Sequence, residues 1–330
     1  MSVPPTPPVG GLPQGPLVTG QAVPATAAPT PLAQAPDPVA TLLQRAIDAA
    51  RADAAIRQAG LGSLVADLEP ALASPGLPPE VKAAIRNVLS QALATDPPPD
   101  AAALKAAIAR SGLFLEGRLA ATPGAPPNDL KAALLLLQQA LAAAGMVASR
   151  RSPKAPVPPP SRGGAVVGQA PRAAGVRAED PAAHMLQALG DETDQALARQ
   201  TLHQLASLPD EQGGARWMFE LPMMTPQGAA VAQFAVDRDA PGGGETDPPP
   251  SWRARFALDI PPLGPVRVHL RLHDGRSSAV LWVERADSLA LLREQSGDLA
   301  EALAGDVTIQ PGAPPQPQAP PPGGLVDRSS

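Results

Sequence analysis

Four histidines are the first candidates for chemistry: His184, His203, His269 and His273. The last two are four residues apart, which on a helix would aim both imidazoles at one metal ion. They fall instead on an alternating run, Val266 to Leu272, where four residues span ~13 Å, too far to share an ion. Both are expected on a solvent face, and no metal site is expected. Gly242-Gly243-Gly244 leads into Glu245-Thr246-Asp247 and three prolines rather than into a helix, so it is not a phosphate cradle. No nucleophile elbow or dinucleotide fingerprint occurs. The acidic residues are scattered, without the pairing that acid–base catalysis needs. With Cys 0 there is no thiolate and no disulfide framework. No cofactor and no enzymatic activity are expected.

A proline corner stands out more. Pro261-Pro262-Leu263-Gly264-Pro265 cannot continue a strand ladder, because three of the five residues lack a backbone N–H. Two readings fit it. One is a stiff turn, with φ fixed by proline and Gly264 supplying a conformation other residues resist. The other is a rigid loop presenting Leu263 to a partner at little ordering cost. The candidate partner-binding residues are therefore Pro261, Leu263 and Gly264.

The elements that must hold this corner are legible around it. Before it, Trp252, Ala254, Phe256, Leu258 and Ile260 alternate with Arg253, Arg255 and Asp259, the pattern of a half-buried strand. After it, Val266, Val268, Leu270 and Leu272 alternate with Arg267, His269, Arg271 and His273. Asp274-Gly275 marks a hairpin, returning along Ala279 to Glu284. Leu289, Leu292, Leu299 and Leu303 then form one stripe of an amphipathic helix. The expected core of this unit is Trp252, Phe256, Val268, Leu270, Trp282, Leu292 and Leu299. The fold class is α+β: a small C-terminal hairpin-and-helix domain, preceded by an Ala-rich helical region and long Pro-rich disordered segments.

This series resembles the C-terminal domain of flagellar hook-length control proteins. The likeness rests on Pro-x-Leu-Gly (Pro261, Leu263, Gly264), the strand Val266, Val268, Leu270, a hydrophobic run ending at Glu284, and the leucine-striped helix. It covers about a quarter of the chain. After the helix only Gly305 to Ile309 remains, so the last strand is expected to be short or frayed. A Ser-Gly-Leu-Phe-Leu-Glu run, Ser111 to Glu116, also occurs in the N-terminal regions of some relatives. The resemblance implies a protein exported through the flagellar type III apparatus. Such a protein samples hook length and, through its C-terminal domain, turns the export gate from hook-type to filament-type subunits. It also implies three partners: the switch component of the gate, the hook protein and the hook-cap protein. A non-enzymatic scaffold or adaptor, with a C-terminal binding module and disordered arms, is the alternative.

Composition sets the limits. Pro 45 and Gly 29 exceed a fifth of the 330 residues. All three Trp and three of the four Phe lie between Trp217 and Trp282. Elsewhere the apolar residues are mostly Ala, which stabilises a core weakly. A net charge of −5 argues against nucleic acid as a partner. No apolar run is long enough to insert in a membrane; Ala132 to Val147 comes closest and is broken by Gln138 and Gln139. Without a secretory signal in Met1 to Pro16, the chain is expected to be cytoplasmic, then exported, and a monomer.

The expected organisation is a disordered Pro-rich N-terminus (1–37), an Ala-rich helical region (38–148), a basic Pro/Gly linker (149–179), a helix (180–208), the C-terminal domain (209–310) and a disordered tail (311–330). Within the helical region, Pro70 interrupts a short piece from Leu61, Asp100 is an N-cap, and a last helix runs from Asp129 to Ala144; the region is either a loose bundle with Phe114 as its one aromatic anchor or a set of helices that order only on a partner. Arg216 to Leu221 and Ala229 to Val236 read as strands joined by a loop, Pro222 to Gly228. An extended reach of about 210 residues at ~3.3 Å each bounds the length such a chain could report at roughly 700 Å.

Overall fold

Apolar residues at helical spacing fold the first half of the chain into helices. The computed structural model describes residues 38–122, 128–146, 157–161, 163–209, 214–239 and 250–315. The expected disorder of 1–37, of most of the tail, and of the insert around 240–249 falls outside these residues. Residues 43–330 form one unit by their contacts, and of residues 1–42 the described part is the first turn of α1. The helices are α1 (Pro38–Arg57), α2 (Leu61–Ala73), α3 (Pro79–Leu89), α4 (Ala101–Ala109), α5 (Leu115–Ala121), α6 (Leu130–Ala143) and α7 (Ala182–Ala206).

Local chemistry sets their ends. The Asp100 carboxylate accepts from the Ala103 N–H at 2.7 Å, as expected of a cap, and that of Asp129 accepts from Lys131 at 2.9 Å, so Asp129 caps its helix rather than starting it. Helix α2 runs through Pro70 rather than breaking there. Leu68 and Ala71, on either side of the proline, are fully buried, and tertiary packing outweighs the lost helical bond. The helices are also better packed than an Ala-rich composition suggested. Leu64, Leu68, Ile85, Leu134, Leu137, Leu141, Met185 and Leu189 form a nearly waterproof aliphatic core. Phe114 does not anchor it, being only half-buried at the entrance to α5.

Among the described residues seven strands form one sheet in simple chain order: β1 (Leu93–Ala94), β2 (Ala215–Thr225), β3 (Gly228–Arg238), β4 (Trp252–Ile260), β5 (Gly264–His273), β6 (Arg276–Val283) and β7 (Gly305–Pro311). The pairings from β2 to β6 are antiparallel; β1 with β2 and β6 with β7 are parallel. The expected loop Pro222 to Gly228 is mostly strand, because β2 and β3 pair from Thr225↔Gly228 up to Ala215↔Arg238. Pro222 is tolerated there because only β3 flanks it; β1 begins pairing at Met223. The last strand is not frayed. It pairs with β6 at every residue from Gly305↔Ser277 to Pro311↔Val283. The single expected helix is two, α8 (Ala286–Glu294) and α9 (Ser296–Leu303), separated at Gln295.

Register divides the sheet into two faces. One carries Phe234, Phe256, Leu258, Val268, Leu281 and Val283. Helices α8 and α9 cover its β5–β7 part through Leu289, Leu292 and Leu303, and Ala107 of α4 packs at β2 against Phe219 and Leu221. Between them Phe219, Phe234 and Phe256 stack at 5.1 and 5.4 Å. The expected core needs three corrections. Trp252 is 38 % exposed at the sheet end, stacked on Trp217; Leu299 is 36 % exposed, on the outer side of α9. Trp282 is buried, but on the opposite face, against His269.

On that opposite face, α7 and the stretch 163–170 cover β2 and β3. Much of the expected linker is therefore laid on the sheet. Gln169 exchanges two backbone hydrogen bonds with Val231, at 2.8 and 2.9 Å, and Val166 is buried. Arg172 donates to Ser63 Oγ at 2.7 Å. Arg150, Arg151, Lys154 and Arg162 lie outside the described residues.

Candidate functional site

Strands β4 and β5 meet at Ile260↔Gly264, which closes Pro261, Pro262 and Leu263 into a three-residue turn. The corner is thus shorter than expected, since Gly264 and Pro265 already belong to β5. The Pro261–Pro262 peptide is cis, and both prolines are exposed. Gly264 is buried with φ +71°, where glycine is strongly favoured. A Cβ there would stand 2.5 Å from Cδ of Arg285, the N-cap residue of α8. Leu263 is half-buried and packs against the cluster of Val266, Val268, Leu281 and Val283. The three candidate residues form one contiguous turn, its prolines outward and its leucine seated partly on the core.

Charge surrounds the turn. Arg267 and Glu284 form an ion pair beside it. Burial and the nearby Glu284 push the Asp259 carboxyl up, with Arg267 pulling the other way. Arg285 rises over Gly264 on the far side.

A second cluster escaped sequence reading. Arg199 and His203 on α7 face Glu220 on β2, and all three are almost wholly buried. Arg199 Nε donates to Glu220 Oε1 at 2.7 Å and Nη1 donates to Gln58 Oε1 at 2.7 Å. Gln169 also donates to Glu220, at 2.9 Å. Burial alone would raise the Glu220 carboxyl, but Arg199 and His203 hold it down to about 2. Burial pushes the His203 imidazole down, with Arg199 adding to it and Glu220 opposing. The signal was available: Arg199 and His203 are one helical turn apart, and Glu220 interrupts an apolar strand.

This cluster gives stability a pH dependence of definite sign. Below the ordinary histidine value of 6.5 the unfolded chain takes up a proton that native His203 resists, so stability falls with pH. Glu220 adds a further loss from 4.5 down towards 2, where the unfolded carboxylate is protonated and the native one is not. His203→Gln should therefore flatten the loss that begins as pH falls below 6.5. Urea midpoints over that fall in pH test this, and an unchanged slope would remove His203 as its source.

The other histidines do not converge. His269 and His273 lie on β5 and His184 is exposed on α7. Among the described residues no group of three His, Cys, Asp or Glu side chains could hold a metal ion. No helix among them is long and apolar enough to cross a membrane.

The antiparallel strands β4 to β6, the tight proline turn between the first two, and the α8–α9 crossover to a parallel β7 define a compact α+β module at the C-terminal end of the sheet. Residues 240–317 match the family model described as flagellar hook-length control protein FliK, a span that holds the whole of this module. The searches of curated proteins and of solved structures found no match.

Proposed function

We propose that the protein is a non-enzymatic flagellar hook-length control protein, and that the turn Pro261, Leu263, Gly264 is its contact with the export gate. The family match over 240–317 carries this reading, because its span takes in β4 to β7 and includes the turn. In this reading the chain is exported through the flagellar type III apparatus and reports hook length with its N-terminal part, in contact with hook and hook-cap proteins. Its C-terminal module then turns the gate from hook-type to filament-type subunits. A narrow channel excludes the packed helices and sheet, so the reading requires them to unfold for passage. The exposed prolines and the Gly264 backbone support the role given to the turn. They hold Leu263 in place before contact, so little ordering entropy is lost on binding.

Deleting the gene tests the reading directly. Abnormally long hooks without filaments are the expected result. Normal flagella in the deletion strain would sink it.

A further inference from the structure

Among the described residues, the face of the sheet opposite α8 and α9 is covered over β2, β3 and the Ala257 part of β4, where Val166 packs and Gly164 accepts from Arg255, but not at the Arg253 end of β4 or along β5, and that part is basic. Register sets Arg253 of β4 directly opposite Arg271 of β5, and Arg255 opposite His269. Side chains so paired have Cβ atoms ~4.5–5.5 Å apart, and like charges directly opposite are destabilising. The available anions do not balance them. Asp237 is shared by Arg216 and Arg255, and Asp239 pairs with Arg253. Arg271 is exposed and has no ion-pair partner among the described residues. Beneath the arginines lies a cavity of about 550 Å³, floored by Trp282 with His269 edge-on to it at 4.6 Å.

We propose that this face is a docking site for an extended acidic peptide segment of a partner protein, its carboxylates seated on Arg253 and Arg271 and an intervening side chain on Trp282. Planar guanidinium groups match carboxylates two bonds at a time, and an incoming anion would relieve the Arg253–Arg271 repulsion. Burial and the neighbouring Arg255 push the His269 imidazole down, so the floor beside Trp282 is neutral and suits an apolar contact. A nucleic acid fits less well. Asp237 and Asp239 are fixed beside the arginines, and a continuous run of phosphates would meet them, whereas spaced carboxylates need not. The site is separate from the Leu263 turn and does not depend on the role given to it.

The test is binding of a labelled hexaglutamate peptide to the full chain, followed by fluorescence anisotropy at low salt. Binding is expected, weakening steeply as salt is added. Arg253→Glu with Arg271→Glu should lower affinity by about tenfold or more. A control with the same charge change, Arg86→Glu with Lys105→Glu on other elements, should leave it within about twofold. Circular dichroism establishes that each variant is folded, and the His269 ring resonances of the wild type should shift on binding. No binding, equal loss in both double variants, or unmoved His269 resonances would overturn the proposal. So would tighter binding of a six-nucleotide single strand, which would make the face a phosphate reader.

Discussion

Arg199→Ala is expected to destabilise the protein by about 3–5 kcal/mol, because it leaves the Glu220 carboxylate buried without its principal counter-charge. The Arg199 and Glu220 side chains are each 2 % exposed, so solvent cannot replace what is lost. Gln58 and the Pro158 carbonyl lose their partner as well. Glu220 would keep Gln169, but a neutral amide cannot hold a buried carboxylate ionised. Its pKa should rise from about 2 towards that of a desolvated acid. For a unit of this size the loss corresponds to a melting temperature lower by roughly 10 °C. The companion variant Arg199→Met with Glu220→Gln removes both charges, and replacing a buried pair by neutral groups often costs little. It should recover much of the stability. Thermal melting of the two variants decides the matter, and an Arg199→Ala protein melting with the wild type would mean the pair contributes nothing.

That expectation bears on function through the unfolding that export would require. Arg199 ties α7 to β2, to Gln58 beyond α1 and to Pro158, so a charged cluster joins helices to the sheet in addition to their apolar contacts. Such a cluster resists local opening while the helices stay docked. Once they leave, water reaches the charges and nothing is gained by holding them together.

What the sequence made legible follows from where physics acts locally. Period-two alternation placed β4 and β5, Asp274-Gly275 placed their hairpin to β6 through positive φ at both residues, and Asp100 capped its helix. The turn Pro261, Leu263, Gly264 was legible for the same reason. Non-local decisions were not. Nothing near Gln169 announces that it will pair with Val231, and a Pro/Gly-rich stretch reads as a linker until the sheet it lies on is known. Gly305 to Pro311 looks too short to matter, yet seven paired residues against β6 make it an ordinary strand. Arg199 and Glu220 are polar residues that local rules send to the surface, and only their meeting explains their burial. The basic face was visible as alternating Arg and His, but the cross-strand register that sets Arg253 against Arg271 was not.

The turn itself gives the sharpest functional expectation. Leu263 is seated on the core yet not closed off from solvent, so Leu263→Ala should lower stability by less than the 2–5 kcal/mol of a fully buried leucine, about 1 kcal/mol. Under the proposed function the larger effect is on the flagellum: the variant is made and exported, the gate does not switch, and hooks overgrow. Gly264→Val is a harsher change. A β-branched residue at φ +71° is strained by about 1–2 kcal/mol, and its Cβ would collide with Arg285. That variant confounds folding with contact, whereas Leu263→Ala separates them. The paired measurements are the melting temperature of the purified chain and the hook length in the strain that carries it. Overgrown hooks with a melting temperature within a few degrees of wild type make Leu263 a contact residue. A strongly lowered melting temperature makes it a plug over the Val266–Val283 cluster, and unchanged stability with hooks of normal length removes the turn from the switch.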